Sequence, residues 1–257
     1  MKTNRTSLSV VRFAMVLIAP VLCVSAQPLA KFGGNLSGVW VNSTLANAAN
    51  HLQSQWVTDA LPFTAKGLAM FDANKPGKGP RGSRAPIEND PLTKSNPAGL
   101  YRTLICSRPF EIIQLPERVI QVFELGKNWR AIYTDGRPVP KDVDAGPYWY
   151  GYSVGKWEGD ALVVTTIVLD ERAWLDEWGT PFSGDARVEE RWQRTGTNKL
   201  QLKVTVNDPV LYSRPWTSSP VTYTLQRGVD LEEIIYAPVD GHAFGERVRT
   251  PAHTLIK

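Results

Sequence analysis

The stretch that decides the fold runs from Tyr133 to Asp176: YTDGRPVPKDVDAGPYWYGYSVGKWEGDALVVTTIVLDERAWLD. A strand ends in the turn Thr134-Asp135-Gly136-Arg137-Pro138, and a Pro/Asp loop follows. An aromatic strand is expected from Tyr148 to Trp157, and Glu158-Gly159-Asp160 turns the chain into the apolar run Ala161–Leu169. Trp174-Leu175-Asp176 closes the unit. The pattern is that of a β-hairpin with a polar mouth and a wall lined by Trp and Tyr.

Working outward, strand signals dominate from Pro109 onward. Phe110–Leu115, Val119–Leu125, Trp129–Thr134, Ala186–Thr195, Lys199–Asn207, Val221–Arg227 and Leu231–Ala237 are rich in Val, Ile, Thr, Tyr and Trp. Turn residues separate them, among them Gly126-Lys127-Asn128, Gly196-Thr197-Asn198 and Gly228-Val229-Asp230. Short links imply antiparallel neighbours. With Gly38–Val41 this makes roughly ten strands, the pattern of a closed antiparallel barrel. Leu200, Leu202, Val204 and Val206 alternate with Gln201, Lys203, Thr205 and Asn207, so one face is dry and the other wet. The fold expected is all-β: a single antiparallel meander barrel, lipocalin- or calycin-like in type, with short N-terminal helices.

The N-terminal part reads differently. Residues 1–26 have the form of a secretory signal: a basic start with Lys2, Arg5 and Arg12, an apolar core from Phe13 to Val24, and the small-residue site Val24-Ser25-Ala26. The mature chain is therefore expected to begin near Gln27, in the periplasm or outside the cell. The apolar core is shorter than the roughly 20 residues a membrane span requires. Residues 27–108 are expected to pack on the barrel body of 109–257 as part of one domain. Ala46–Val57 and Phe63–Asp72 are helix candidates, with Thr64 as a cap for the second. Residues 74–99, rich in Pro, Gly, Asn and Ser, read as a long loop, either mobile or a lid.

Charge and cysteine content narrow the function classes. The chain has 29 basic and 25 acidic residues; without Lys2, Arg5 and Arg12 the balance is 26 to 25. No basic stripe remains, and no nucleic-acid partner is expected. Cys23 leaves with the signal, so Cys106 has no intrachain partner in the mature chain. No zinc or calcium spacing, no nucleophile elbow, no phosphate loop and no dinucleotide fingerprint is present, so no metal and no cofactor is expected.

Several residues could carry chemistry. Val188, Glu190 and Trp192 share a strand face, so Glu190 should point inward. Unpaired, it would have a raised pKa and suit a general acid or base; paired to an inward arginine, it would be architectural. Asp160 and Tyr152 are further catalytic candidates, as acid/base and proton donor. Glu124 and Arg130 are expected to meet across the Gly126 turn. Arg137, in the turn with Asp135, could clamp an anion or simply sit in solvent. Strand alternation would place Trp149 and Trp157 on one face and Tyr148, Tyr150 and Tyr152 on the other, one set core and the other available for stacking. Trp149, Tyr150, Trp174 and Trp192, with Arg137 and Asp135, form the candidate ligand-binding set.

Two resemblances accompany this reading. Gly38-Val39-Trp40 and Tyr133-Thr134-Asp135 resemble the G-x-W and T-D-Y elements of lipocalins. Leu36-Ser37-Gly38-Val39-Trp40, Thr134–Pro138, Gly151–Val164, Trp174-Leu175-Asp176, Glu190-Arg191, Asp208-Pro209 and Pro215-Trp216 together resemble a family of exported bacterial β-barrel proteins. That resemblance implies a barrel and export, and brings no activity with it. The family often has His where this chain has Phe182, and a Cys/Glu/Asn cluster where it reads Tyr236–Asp240. The function expected is binding of a small apolar, aromatic or glycosidic ligand in a Trp/Tyr-lined pocket. The alternative is a cofactor-independent lyase, isomerase or hydrolase in the same pocket. An envelope interaction protein using an exposed sheet face is a third class.

Overall fold

The structure is a computed structural model describing residues 34–44, 54–77, 79–82, 89–141, 146–234 and 247. Residues 1–26, expected to be a signal, and residues 236–240 lie outside these residues, as does most of the helix expected at Ala46–Val57. Ser54–Val57, which is described, is not helical.

The strands are β1 (Gly38–Asn42), β2 (Phe110–Gln114), β3 (Arg118–Phe123), β4 (Asn128–Tyr133), β5 (Tyr152–Glu158), β6 (Ala161–Ile167), β7 (Arg187–Gly196), β8 (Lys199–Asn207), β9 (Trp216–Thr217) and β10 (Val221–Gln226). Among the described residues, two α-helices, α1 (Ala65–Ala73) and α2 (Leu100–Ile105), and a 3-10 turn at Pro91–Lys94 lie between β1 and β2. The sheet order is β10-β1-β2-β3-β4-β5-β6-β7-β8-β9, and β10 also pairs with β8. That pairing closes a nine-stranded barrel of β1–β8 and β10. The edge of β8 is shared: β10 takes Lys199–Leu202, and β9 takes Thr205–Val206.

Alternation decides what fills the barrel. Leu200, Leu202, Val204 and Val206 are all buried, as are Val188, Glu190 and Trp192 on β7. Trp192 stacks on Tyr223, Phe110 meets Tyr223 edge-on, and Phe123 stacks on Tyr150. These aromatic contacts run through the interior, so much of the Trp and Tyr content is core.

α2 is also interior. All six of its residues are buried. Tyr223 donates its hydroxyl to the Leu104 carbonyl, and the Asn42 amide donates to that of Ile105. The helix is entered through Gly99 at a φ of 80°, where a Cβ would come within 2.6 Å of the Ala173 Cβ. Only glycine fits that approach without displacement. Arg102 forks onto Asp90 at 2.6 and 2.8 Å, tying α2 to the 3-10 turn. The described part of the long loop at 74–99 is thus anchored at Asp90. α1 lies outside the barrel, capped by the Thr64 hydroxyl, with Phe71 stacked on Phe63 and Phe63 on Tyr212.

Three local expectations are corrected. β4 and β5 are parallel, paired only at Ile132↔Ser153 and Tyr133↔Val154. The connection through residues 134–151 is long enough to carry the chain back along the barrel, which a parallel pair needs. The strand expected at Tyr148–Trp157 begins only at Tyr152. Tyr148–Gly151 is a turn closed by the Gly151 amide on the Tyr148 carbonyl, so the expected face alternation of Tyr148, Trp149 and Tyr150 does not apply. In the strand expected at Leu231–Ala237, the described residues give one bridge, Ile234 to Leu125.

Candidate functional site

Two features stand out. One is a buried polar network inside the barrel. The other is an aromatic cleft outside it, along the β4–β5 seam.

The network centres on Glu190. Its carboxylate is fully buried and faces Arg130, whose Nη2 donates to Oε2 at 2.5 Å and Nη1 to Oε1 at 2.9 Å. Oε1 also accepts from the Tyr101 hydroxyl at 3.0 Å and the Thr166 hydroxyl at 3.1 Å. Oε2 accepts from the Trp192 indole at 2.8 Å. Arg130 Nε donates to Gln121 at 2.7 Å, and Nη1 also to Ser153 at 3.2 Å. Burial pushes the Glu190 carboxyl up, but the Arg130 charge and the donors from Arg130, Trp192 and Tyr101 outweigh it and hold it below its ordinary value. Burial, then the Glu190 charge, push the Tyr101 phenol well up, so it stays a donor.

The architectural alternative for Glu190 is therefore the geometry found: an inward carboxylate matched to an inward arginine. That arginine is Arg130, so the expected Glu124–Arg130 contact does not form. Arg130 lies opposite Gln121 in the β3–β4 register. Glu124 sits past the end of β3, accepts from the Glu232 amide at 3.0 Å and lies 3.5 Å from Arg108.

The cleft follows from the short β4–β5 ladder. Asn128–Ala131 lies beyond it and faces the turn Tyr148–Gly151 rather than a strand. Gly151 holds that turn at a φ of 65°, where a Cβ would sit 2.5 Å from Thr166 Cγ2. The opening has a volume of about 440 Å³ and is lined chiefly by Trp129, Tyr133, Tyr148, Trp149, Tyr150 and Tyr152, with Asn128, Ala131 and Ser153 between them. Trp129 is 63% exposed, the most exposed large hydrophobic side chain among the described residues.

Two Asp-x-Arg turns hold cations over rings of the cleft. Arg137 forks onto Asp135 at 2.6–3.0 Å, lies 3.8 Å from the Tyr133 ring centre and donates to the Tyr152 hydroxyl at 3.1 Å. Arg172 forks onto Asp170 and lies 4.7 Å from the Trp149 ring centre. In each turn the arginine's own amide also donates to the aspartate. Side-chain hydrogen bonds from Arg137 hold the Asp135 carboxyl low, and those from Arg172 do the same for Asp170.

Of the residues singled out in the sequence, Trp149, Tyr150 and Tyr152 line the cleft, and Arg137 and Asp135 stand at its rim. Trp192 and Glu190 are interior, and Trp174 is 5% exposed. Asp160 lies exposed in the β5–β6 turn. Trp129 and Tyr133 were not singled out, although the alternation of Asn128–Tyr133 already sets them opposite Arg130 and Ile132. Burial pushes the Cys106 thiol up to about 11, and the three histidines, His51, His242 and His253, lie outside the described residues. No group of three or more potential metal ligands is assembled among the described residues, and no helix there is long and apolar enough to cross a membrane. No known protein family, curated protein or solved structure matches the chain.

Replacing Glu190 by Gln leaves Arg130 buried without its counter-charge, and unfolding in urea should show a loss of about 3–5 kcal/mol. Because the folded carboxyl titrates below its ordinary value of 4.5, its contribution is full above that pH. The contribution is lost as pH falls through the lower folded value. The acid limb of a stability–pH profile should therefore flatten in Glu190→Gln. An acid limb identical to that of the unmodified protein would show that Glu190 does not carry it.

Proposed function

We propose that the protein is an exported small-molecule binder and that its ligand site is the aromatic cleft at the β4–β5 seam. The observation that carries this reading is six Trp and Tyr side chains from two separated segments converging on one opening. Its 440 Å³ lies within the range of about 300–1,000 Å³ common to small-molecule sites. Large, rigid aromatic side chains give contact area at small entropic cost and keep a polar edge for orientation. The barrel interior beside the seam is taken up by the Arg130–Glu190 network with Ser153, so a ligand is received at the wall.

Binding fits this opening better than catalysis. Among the described residues the lining holds no carboxylate, and its charged residue, Arg130, is committed to Glu190. Glu190, with a lowered rather than raised pKa and five donors on its carboxylate, is not tuned as a general acid near neutral pH. Residues 1–26 supply the basis for export.

Thermal-shift screening of apolar, aromatic and glycosidic small molecules should find ligands whose affinity falls about tenfold or more, about 1.4 kcal/mol, in Trp149→Ala. Hits that bind Trp149→Ala and Trp129→Ala with unchanged affinity would place the site elsewhere. For export, N-terminal sequencing of the protein from its native host should read from near Gln27; a start at Met1 would contradict it.

A further inference from the structure

Resting on the assignment of the cleft as the ligand site, we infer that its ligand is an uncharged oligosaccharide of at least two pyranose rings. Three observations lead there.

The first is charge. Every charged group described at the cleft is matched locally: Arg130 by Glu190, Arg137 by Asp135 and Arg172 by Asp170. Among the described residues an anionic or cationic ligand would find no uncompensated partner at the cleft, and burying an unmatched charge is costly. A neutral ligand meets no such penalty.

The second is the form of the Arg137–Asp135 pair. Both side chains are partly open to solvent, 39% and 24%. They therefore present donors and acceptors side by side in a fixed plane, with the Tyr152 hydroxyl next to them. Each hydroxyl of a vicinal diol both donates and accepts, so such a pair matches a diol on both counts. A ligand with only an apolar ring would leave this polar rim unused. The Arg172–Asp170 pair differs, because Asp170 is 2% exposed and only its arginine reaches solvent.

The third is length. Trp129, Ala131 and Tyr133 lie on the outer face of one strand, and four residues of strand place the Trp129 and Tyr133 backbone positions about 13 Å apart. Trp129 offers an open aromatic face at one end. At the other, Arg137 covers Tyr133 and supplies the polar rim. A pyranose has an apolar C–H face suited to stacking on Trp and a hydroxyl edge suited to the rim. Spanning both features takes more than one ring, and the small side chain of Ala131 leaves the path between them open.

Saturation-transfer NMR decides the matter with cellobiose, maltose and N,N′-diacetylchitobiose as neutral probes, digalacturonate as the charged comparator and coniferyl alcohol as a neutral aromatic without sugar. The expected result is transfer to the ring C–H protons of at least one neutral disaccharide, at least tenfold weaker binding in Trp129→Ala, and a reduction also in Arg137→Gln. Circular dichroism must show both variants folded. Transfer to coniferyl alcohol but to none of the disaccharides would overturn the sugar assignment and leave the cleft as an aromatic site. Digalacturonate binding more tightly than the neutral probes would overturn the charge argument and with it the proposal. Sugar binding unchanged in both variants would remove it from this cleft. No transfer to any probe would overturn the sugar assignment and count against the cleft reading as well.

Discussion

The Arg130–Glu190 pair is the contact on which the rest of the architecture depends. It joins β4 to β7 through the barrel interior, with Gln121 of β3, Ser153 of β5, Thr166 of β6 and Tyr101 of α2 bonded into the same network. A buried ion pair in itself is weak evidence of stability, because desolvation offsets much of its attraction. Its effect here is positional. The β4–β5 ladder is only two residue pairs long, and the Arg130–Ser153 bond is a second tie across the same seam. With Arg130 held inward, the two-residue period of the strand turns Trp129 and Ala131 outward to the cleft. The phase of β4 inside the barrel thus sets which aromatic side chains it presents outside.

The cleft is the consequence of a connection that does not form a hairpin. Residues 134–151 return the chain so that β5 runs parallel to β4 and meets only its C-terminal end. The first half of β4 is left beside a turn, and that turn is rich in Tyr and Trp. The Asp-x-Arg motifs then fix two guanidinium groups over rings at the edge. Each aspartate holds its own arginine, which keeps the region close to neutral while leaving polar groups at the rim.

Much of this was legible in the chain. The β7 and β8 alternations, closure into a barrel, the Thr64 cap and the inward direction of Glu190 all follow from period-two patterning and turn residues. The partner of Glu190 did not. Sequence neighbours suggest Glu124 for Arg130, whereas the actual partner lies 60 positions away and is brought near only by the order of β4, β5, β6 and β7. The run Tyr148–Tyr152 reads as strand because aromatic residues favour sheets. Gly151 with its positive φ, and the amide of Gly151 bonded back to Tyr148, make it a turn instead. Trp129 and Tyr133 were within reach of the same alternation argument that placed Arg130. Their place at the cleft depends on the parallel β4–β5 pairing, which link length alone does not reveal.

The central claim is that Arg130 and Glu190 act as one matched unit inside the barrel, and a double-mutant cycle tests it most directly. Arg130→Met and Glu190→Met each leave one charge buried alone, and each should lower the unfolding free energy by about 3–5 kcal/mol. The double variant removes both charges, so it should be more stable than either single variant. Losses that simply add in the double variant would contradict the account and show that the two side chains act independently.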